Sequence, residues 1–447
     1  MPERIPPPRL AGSRFSHTQR FMKDPFSLLA EAKERCGDAF SIRLLGLGEW
    51  TFLCAPDLLA QLYRAPDDVL AAGEVNRKLL GFMAGSDATF CLDGDAHRDR
   101  QRLVLPHLTG KEVCDHTPMI RDLADEMIAG WPLGEPFELL HEIHRLALEV
   151  LIRAVFADVG KARCRRLLEV FDTFASRGLR SPLILMPLLQ LNLGPKSPWG
   201  KILAMQRTLF EEFSREIEER LAAGGEGPGL LCQLIRESRD AGQPLSAESL
   251  RDEAISLIFA GHETTALGVA WTVERVLAEP SVRSRLLEEL ATALDGRPIE
   301  ASDFRQLPYL AAVVQETLRW RSFAPMASMR RVKKPFPVRD WVVPVGRIVT
   351  QGFSVLCQRS ETFPDPERVD PGHFFGKQTK RYEWQPFGGG RHMCLGKGLA
   401  EVELTVILAT LLRKAELRLD QESVKPTREG FFFAPDQGLR VVLEGRR

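Results

Sequence analysis

A long central region with helical periodicity is the strongest constraint on the fold of this chain. From about residue 96 to residue 320, apolar residues recur at every third or fourth position, and the breaks fall at Gly- and Pro-rich stretches such as "GWPLGEPF" and "AAGGEGPG". The runs "AFSIRLLG" and "EWTFLCAP" precede this region and alternate like two strands of a hairpin across "GLG". We therefore predict a mainly α fold with small β-sheets.

The same patterns give the boundaries of the predicted parts. The β-rich part covers about residues 38–55 and 323–356 together with C-terminal strands, and the α-rich part covers about residues 96–320 and 395–413. No internal repeat, low-complexity tract or flexible linker interrupts the sequence. We therefore expect residues 1–447 to form a single domain.

The charge balance argues against a partner that is held by a global electrostatic field. The 60 basic and 60 acidic residues give a formal net charge of zero, so neither nucleic acid nor an anionic membrane is an expected partner. The start of the chain lacks the apolar segment of a signal peptide, and no run of about 18 apolar residues occurs. We therefore expect a cytoplasmic protein without a membrane anchor.

Cys394 stands in the glycine-rich stretch "PFGGGRHMCLGKG", directly before a segment with a helical pattern. Gly388 and Gly390 can adopt positive φ angles and lack side chains where the backbone must pass close to a flat group. At a helix start, free N–H groups and the helix dipole stabilise a thiolate and lower the thiol pKa from about 8.5. These features fit a thiolate presented to a metal cofactor, and the alternative is a buried structural cysteine beside a glycine turn.

Residue spacing argues against a phosphate-binding loop at the glycine-rich stretch and against a metal or disulfide role for the cysteines as a set. A phosphate-binding loop requires a glycine where Arg391 stands, and Ser or Thr where Gly398 stands. The eight cysteines are scattered without CxxC pairs, which argues against both a zinc knot and a disulfide scaffold.

A second group of polar residues interrupts an otherwise apolar helix at "SLIFAGHETTALGVAW". Glu263, Thr264 and Thr265 are costly to bury without partners, and a Thr hydroxyl can bond to the carbonyl four residues earlier. An acid beside a hydroxyl in such a notch can deliver protons. The alternative is a helix bend that the Thr residues cap, with Glu263 in water.

The third group is "QETLRW", in which Glu316 and Arg319 lie three residues apart and can pair on one face of a helix. Most such pairs lie on the surface and contribute little to stability. This pair therefore indicates a function only when it is considered together with the other two groups.

Together, and in this order, the three groups resemble the motifs of the cytochrome P450 family of haem-thiolate monooxygenases. "FGGGRHMCLG" matches the family's F-x-x-G-x-x-x-C-x-G haem loop at Phe387, Gly390, Cys394 and Gly396. "AGHETT" matches the A-G-x-D/E-T-T motif of the distal helix, and "ETLR" matches E-x-x-R. The likeness covers nearly the whole chain, because "DGDAHRDRQRLVLPHLTG" and "FPDPERVDPGHF" also resemble the family's C helix and meander.

The resemblance implies a triangular, mostly helical prism of the soluble bacterial type, with haem b between the distal I helix and the Cys loop that leads into the L helix. It implies that Cys394 is the thiolate ligand, whose electron donation favours O–O cleavage, and that Phe387 shields the sulfur. The other implied haem contacts are Gly388, Gly390, Gly396, Ala260 and Gly261, with His97, Arg330 and His392 at the propionates.

On the distal side, the resemblance implies that Thr264 hydrogen-bonds dioxygen or its water and that Glu263 relays protons toward it. The implied reaction, for instance a hydroxylation, inserts one oxygen atom of O2 into a substrate C–H or C=C bond while the other atom leaves as water. Glu316 and Arg319 are implied to lock the proximal core rather than to do chemistry.

Two positions depart from the family's pattern. The third member of the family's Glu-Arg-Arg cluster falls at His373, a shorter and titratable donor. The propionate-binding Arg expected in the C helix is Gln101, with Arg98, Arg100 and Arg102 around it. The sequence leaves open whether a neighbouring Arg replaces it or one propionate lacks a partner.

The resemblance also predicts the substrate class. The expected lining of the pocket is residues 79–92, 181–193, 322–329 and 431–435, together with Ile258 and Ala260. These positions are mostly Leu, Met, Phe and Ala, so we expect a lipophilic small molecule such as a terpenoid, a steroid or a fatty acid.

The expected redox partner is a separate protein, and the enzyme itself is expected to be a monomer. A basic patch near the predicted proximal face consists of Lys377, Lys380, Arg381, Arg391 and Lys397. It suits docking of an acidic ferredoxin or flavodoxin, which a reductase supplies with electrons. The alternatives are a peroxide-using or rearranging haem-thiolate enzyme and a non-catalytic haem sensor, and the "HETT" sequence argues against both.

Overall fold

The computed structural model describes residues 5–447, so the first four residues of the predicted domain lie outside the described residues. The described chain is mainly helical with small sheets, which confirms the predicted fold class. The α-helices are α1 (Arg14–Lys23), α2 (Pro25–Cys36), α3 (Pro56–Arg64), α4 (Gly73–Ala84), α5 (Gly94–Val104), α6 (Gly110–Cys114), α7 (Thr117–Gly130), α8 (Leu139–Phe156), α9 (Lys161–Thr173), α10 (Pro198–Ala222), α11 (Leu230–Asp240), α12 (Ala247–Ala278), α13 (Pro280–Leu294), α14 (Pro308–Trp320), α15 (Phe353–Leu356) and α16 (Lys397–Lys414).

Apart from one short strand within the helical region, the strands lie before and after that region. The strands are β1 (Ala39–Leu44), β2 (Gly48–Leu53), β3 (Leu70–Ala71), β4 (Pro136–Glu138), β5 (Ala327–Val332), β6 (Phe336–Val338), β7 (Trp341–Val343), β8 (Ile348–Gln351), β9 (Ala415–Leu419), β10 (Pro426–Glu429), β11 (Phe432–Pro435) and β12 (Arg440–Arg446). A five-stranded sheet has the order β1-β2-β8-β5-β3, and β4-β12-β9, β10-β11 and β6-β7 form smaller sheets.

The first two strands form the predicted hairpin. They pair in antiparallel register from Ala39 opposite Leu53 to Leu44 opposite Gly48. The turn between them uses positive φ angles at Gly46 (76°) and Gly48 (85°), which glycine adopts without a steric penalty. The parallel pairing of β2 with β8 then joins the beginning of the chain to the part that follows the helical region.

Helix α12 runs through the centre of the helical region and packs against α8, α10, α14 and α16. Its N-terminus is capped by Ser246, whose Oγ accepts a hydrogen bond of 3.0 Å from Ser249 N. Ala266, Leu267 and Ala270 are fully buried. Since neighbouring helices cover most of α12, any exposed residue in its middle marks an opening inside the protein.

Helix α16 begins at Lys397, two residues later than predicted, and follows directly on the Cys394 loop. It packs against α7, α12 and α14, and Ile407, Leu408 and Ala409 are fully buried. Among the described residues, none of the helices has both the length and the apolar character that crossing a bilayer requires.

Candidate functional site

The loop that carries Cys394 is closed by a backbone hydrogen bond. The Cys394 N–H donates to the carbonyl oxygen of Phe387 at 2.9 Å, and the Phe387 side chain is half-buried. Gly388 and Gly390 have φ angles of 69° and 70°, as the sequence predicted, and other residues rarely adopt these values. The closed loop fixes Cys394 three residues before α16 begins.

The thiol of Cys394 lies in a recess of the protein. Cys394 is exposed, whereas the other seven cysteines are buried or half-buried. Desolvation by the surrounding protein raises the pKa of the thiol, and the N–H groups of Gly396 and Lys397, which donate to the sulfur, offset only part of this increase. The predicted lowering of this pKa is therefore wrong for the protein alone, because enclosure in the recess outweighs the helix start.

The glycines of the loop face different neighbours. A Cβ on Gly388 would lie 2.7 Å from Ser328 Oγ, and a Cβ on Gly390 would lie 2.5 Å from the carbonyl oxygen of Tyr63. The missing side chains at these positions allow close packing within the protein, and the predicted contacts of Gly388 and Gly390 with the cofactor stay predictions. A Cβ on Gly396 would meet nothing within 4 Å, so this glycine borders open space.

The structure brings together three residues that the sequence places far apart. The rings of His97, on α5, and His392, in the Cys394 loop, have centroids 3.9 Å apart. Arg330, on β5, is buried, and within residues 5–447 its guanidinium has no carboxylate within 4 Å. Burial lowers the pKa of all three side chains, and the charge of Arg330 further lowers the pKa of His392. Among the described residues, the cluster therefore holds a buried cation without a carboxylate in direct contact, although the Asp93 carboxylate lies 3.7 Å from His392 Nε2.

Gln101 does not extend this cluster toward a ligand. Its Nε2 donates to the backbone carbonyl of Arg391 at 3.2 Å, so it ties α5 to the Cys394 loop. The neighbouring arginines pair with carboxylates of the protein: Arg98 with Asp95, Arg100 with Asp87 and Glu253, and Arg102 with Asp99. The three arginines that could replace the missing family Arg are therefore already engaged.

Ala260 and Thr264 mark an opening in the middle of α12. Ala260 is exposed and Thr264 is half-buried. The Thr264 hydroxyl donates to the Ala260 carbonyl at 2.7 Å, which is the predicted bond to the residue four positions earlier. Thr265 points elsewhere, because its hydroxyl donates to Glu403 Oε2 on α16 at 2.8 Å. The adjacent hydroxyls thus have separate surroundings.

Two predicted neighbours of this opening lie on other faces of α12. Ile258 is fully buried, so it belongs to the core, and its predicted place in the pocket lining is wrong. A Cβ on Gly261 would lie 2.9 Å from Leu151 Cδ1 on α8. The glycine therefore allows two helices to approach closely, and its predicted contact with the cofactor stays a prediction.

Glu263 faces a group of basic side chains rather than Thr264. Its Oε2 lies 3.8 Å from His144 Nδ1 and 3.7 Å from His262 Nε2. Burial raises the pKa of Glu263 to about 7, although the positive charge of Arg180 acts in the opposite direction. A carboxyl group with such a pKa can both take up and release a proton near neutral pH.

The E-x-x-R residues form a buried network. Arg319 donates to Glu316 through Nε at 2.8 Å and through a terminal nitrogen at 2.6 Å, which confirms the predicted pair. His373 takes the third position, with Nδ1 3.1 Å from Glu316 Oε2 and Nε2 2.8 Å from the carbonyl oxygen of Pro364. All three side chains of the network are buried.

The sequence analysis missed several partners of these residues. His262 stands at the variable position of "AGHETT", so its place inside a matched motif was a signal. His144 and Arg180 carry no such signal, because only tertiary packing of α8 and of the segment after α9 brings them to Glu263. Glu403 was likewise missed, since it lies within an apolar helix and meets Thr265 across the core.

The residues present fit the haem that the resemblance implies. An exposed thiol with two N–H donors is suited to bind iron as a thiolate. Arg330, buried without a carboxylate of the protein beside it, is suited to bind an anion such as a propionate, and His97 and His392 add donors next to it.

Comparisons with known proteins agree on one family. The family model "Cytochrome P450" matches residues 6–441. "Putative cytochrome P450 138" of Mycobacterium tuberculosis is 30% identical over 446 residues, which cover 98% of this chain and 96% of that protein. "Putative cytochrome P450 135B1" of Mycobacterium bovis is 29% identical over 451 residues, which cover 99% of this chain and 92% of that protein.

Solved structures show the same fold. "Retinoic acid bound cyanobacterial CYP120A1" matches with a TM-score of 0.85 and 21% identity, covering 99% of this chain and 100% of that one. "Crystal structure of cytochrome P450DA heme domain" matches with a TM-score of 0.86 and 18% identity, covering 99% and 98%. The family binds haem b through a cysteine thiolate and consists of haem-thiolate monooxygenases, so haem b is the cofactor here. With its family match over residues 6–441, the chain belongs to the cytochrome P450 family.

Proposed function

We propose that this monooxygenase oxidises a lipophilic small molecule and receives its electrons from a separate ferredoxin or flavodoxin. The observation that carries the proposal is the opening at Ala260 and Thr264 in the otherwise covered helix α12. An alanine that is exposed in the interior of a protein leaves space for a ligand. The hydroxyl beside it offers a polar group that can be directed at oxygen.

The roles of the individual residues follow from their surroundings. Haem b, when bound through Cys394, supplies the oxygen-activating chemistry. Thr264 holds its hydroxyl at the opening through the bond to the Ala260 carbonyl, where it can pass a proton to a bound ligand. Glu263 holds a proton near neutral pH and can exchange it with solvent through the cleft that it lines. Together they form a route by which protons reach the recess.

The substrate class follows from the apolar segments that meet around the recess. Phe433 N donates to the Phe323 carbonyl at 2.9 Å, and the Phe323 and Phe432 rings are 5.8 Å apart. A Cβ on Gly430 would lie 3.5 Å from Ile184 Cδ1. Half-buried apolar side chains from the predicted lining segments are Leu79, Leu80, Phe82, Phe90, Leu183, Leu185, Met326, Phe431 and Phe432. Such a lining favours a terpenoid, a steroid or a fatty acid over a charged metabolite.

The electron-transfer partner is proposed from surface charge. Lys377, Lys380, Arg381, Arg391 and Lys397 are all exposed. Arg391 pairs with Asp67 at 2.9 Å and Lys397 lies 3.8 Å from Glu401, which leaves the patch with a positive excess near the Cys394 loop. We expect an acidic one-electron carrier to dock here, and we expect its rate of reduction of the enzyme to fall as ionic strength rises.

The pocket is tested by a ligand screen on the haem-loaded protein. Terpenoid, steroid and fatty-acid libraries, with retinoic acid included, are scanned for a substrate-induced spin shift. Ala260→Leu should weaken the shift by at least about tenfold, because the added side chain fills the opening. Ala278→Leu, at an exposed alanine near the end of the same helix, should leave it unchanged. Equal effects of the two substitutions would disprove the placement of the pocket.

The reaction type is tested by driving turnover in two ways. One reaction contains NADH, a surrogate ferredoxin and its reductase, and the other contains hydrogen peroxide alone. Oxidised product in the first reaction supports the proposed monooxygenase. Product from peroxide alone would identify a peroxide-using enzyme, and binding of haem and ligand without any product would identify a sensor.

A further inference from the structure

Three potential metal ligands converge on the side of α12 that faces α8. They are His144 on α8 and His262 and Glu263 on α12, and one donor atom from each lies within 4.8 Å of the other two. His144 and His262 are buried, and Glu263 is half-buried. This cluster of His144, His262 and Glu263, called the His-His-Glu cluster below, is separate from Cys394 and from the basic cluster at Arg330.

Hydrogen bonding and packing orient the histidines of the cluster. His262 Nδ1 lies 3.1 Å from the carbonyl oxygen of Phe259. A carbonyl oxygen can only accept, so Nδ1 carries the proton and the lone pair of Nε2 points toward Glu263. The ring of Phe171 packs edge-on against His262 at a centroid distance of 5.0 Å. A histidine that donates one ring N–H to a carbonyl is the usual arrangement of a metal ligand.

The cluster opens onto solvent on one side. His144, His262 and Glu263 line a cleft of about 940 Å³ that lies between α7, α8, α9 and α12. Three protein ligands beside open space match the arrangement of Zn²⁺ sites that keep one coordination position free. An ion also has a route of entry through this cleft.

The charges around the cluster permit a cation. Arg180 can only donate, so His144 Nε2 accepts from it at 3.5 Å, and metal binding at His144 Nδ1 requires the other tautomer and the loss of this long bond. The guanidinium keeps its pairing with Glu429 at 3.0 Å. Among the described residues, no basic side chain other than His144 and His262 lies within 4 Å of the Glu263 carboxylate. Burial lowers the pKa of His262 to about 4 and that of His144 well below its ordinary value, so both rings are neutral, as metal ligands must be.

We propose that His144, His262 and Glu263 bind one divalent transition-metal ion, represented by Zn²⁺, with the fourth position open to the cleft. Bonds of about 2.0–2.1 Å in a tetrahedral site place neighbouring ligand atoms about 3.3 Å apart. The observed separations of 3.7 and 3.8 Å from Glu263 Oε2 need to shrink by only about 0.5 Å. Rotamer adjustment of Glu263 can supply this movement, and the donor atoms of His144 and His262, which lie within 4.8 Å of each other, must also approach to about 3.3 Å.

Metal binding at this place has a consequence for turnover, and this part of the inference rests on the proposed function. A metal-bound Glu263 carboxylate cannot take up a proton or turn toward Thr264. We therefore expect Zn²⁺ to slow substrate oxidation when it occupies the site. The His-His-Glu cluster would then act as an inhibitory metal site that is built around the proton-carrying residue.

The binding test is calorimetric titration of Zn²⁺ into haem-loaded protein that has been dialysed against a chelator. We expect one Zn²⁺ per chain, and affinity at least about tenfold weaker in Glu263→Gln and His262→Gln. His141→Ala is the matched control, because His141 lines the same cleft outside the cluster, and it should bind Zn²⁺ like the unchanged protein. The reduced carbon monoxide spectrum confirms that each variant is folded. Equal affinity in all variants, or loss in His141→Ala as well, would overturn the site.

Turnover with and without Zn²⁺ separates the two proposals. Inhibition that follows Zn²⁺ occupancy and disappears in His262→Gln supports the inhibitory site. Binding of Zn²⁺ without any effect on turnover would refute the inhibition and the proton-carrying role of Glu263, while the metal site would stand. Absence of binding would refute the metal site and leave the proposed monooxygenase function untouched.

Discussion

His373 donates Nδ1–H to the carboxylate of Glu316, 3.1 Å from Oε2, at a buried position. Its Nε2 lies 2.8 Å from the carbonyl oxygen of Pro364. The imidazole ring therefore bridges the Glu316 carboxylate and the Pro364 carbonyl. It stands where the family usually has a second arginine, so the Glu316–Arg319 pair is not left with an incomplete network.

His373→Gln should therefore reduce the yield of haem-loaded, folded protein. Removing one donor from a buried hydrogen-bonded network costs about 1–3 kcal/mol, because a carboxylate oxygen of Glu316 then loses a partner. The measurements are the amplitude of the reduced carbon monoxide spectrum per chain and the thermal midpoint. His373→Arg should retain more folded protein than His373→Gln, and His141→Gln, at an exposed histidine, should have no effect. A His373→Gln protein with normal yield and midpoint would contradict the assigned role.

Arg330→Gln should weaken haem retention. The guanidinium is buried without a carboxylate of the protein nearby, and its replacement removes the only charged donor that we assign to the propionates. We expect the rate of haem transfer to apomyoglobin to rise at least about tenfold, consistent with the loss of one charge-assisted bond.

The adjacent arginine provides the control for this experiment. Arg331 pairs with Glu74 at 2.9 Å, so Arg331→Gln should leave the transfer rate close to that of the unchanged protein. If both substitutions speed transfer equally, the effect belongs to the strand as a whole and not to a propionate contact.

Cys394→Ala should abolish the long-wavelength Soret band of the reduced carbon monoxide complex, because that band requires a thiolate ligand. Cys36→Ala and Cys114→Ala, at half-buried cysteines remote from the loop in sequence, should keep the band. Persistence of the band in Cys394→Ala would refute the ligand assignment.

Sequence motifs predicted which residues form the site better than they predicted the tertiary contacts of those residues. The thiol, the Thr264 back-bond and the Glu316–Arg319 pair depend on residues close in sequence, and local spacing was sufficient for them. The neighbours of Gly390 and Gly261 come from distant segments, so a pattern could not show that Tyr63 and Leu151 fill these spaces. Tertiary contacts of this kind determine why a glycine is required at a given position.

The pKa of the Cys394 thiol likewise depends on tertiary contacts that the sequence does not show. A helix start predicts a lowered pKa for Cys394, and the expected N–H donors from Gly396 and Lys397 are present. Desolvation of the thiol by the surrounding protein has the larger effect. The extent of enclosure could not be read from the loop itself.

Thr264→Ala should uncouple reductant consumption from product formation. The hydroxyl lies at the opening in α12, and without it protons reach the recess less selectively. We expect NADH consumption to continue while product falls and peroxide rises, whereas Thr264→Ser should keep most of the coupling. Thr265→Ala is the matched control, because Thr265 bonds to Glu403 and its loss should lower stability but not coupling. Unchanged coupling in Thr264→Ala would disprove the role of this hydroxyl.

Glu403 should make the stability of the protein depend on pH. Burial raises the pKa of this carboxyl to about 8, and the hydrogen bond from Thr265 offsets only part of the increase. Its Oε1 has no hydrogen-bond partner in the described structure, as expected for a protonated acid. The pKa of the unfolded chain is 4.5, so between pH 4.5 and 8 the folded state keeps a proton that the unfolded state has released. Stability from this group therefore falls as pH rises through that window, by up to about 1.4 kcal/mol per pH unit.

Glu403→Gln should remove this dependence, because the amide keeps an acceptor for Thr265 and has no proton to lose. We expect the thermal midpoint of the haem-loaded variant to match that of the unchanged protein near pH 5 and to exceed it increasingly up to pH 8. Glu444→Gln, at an exposed carboxylate that pairs with Arg418 at 2.8 Å, should show no such trend. A difference between Glu403→Gln and the unchanged protein that stays constant with pH would mean that Glu403 is ionised in the folded protein, contrary to the environment described here.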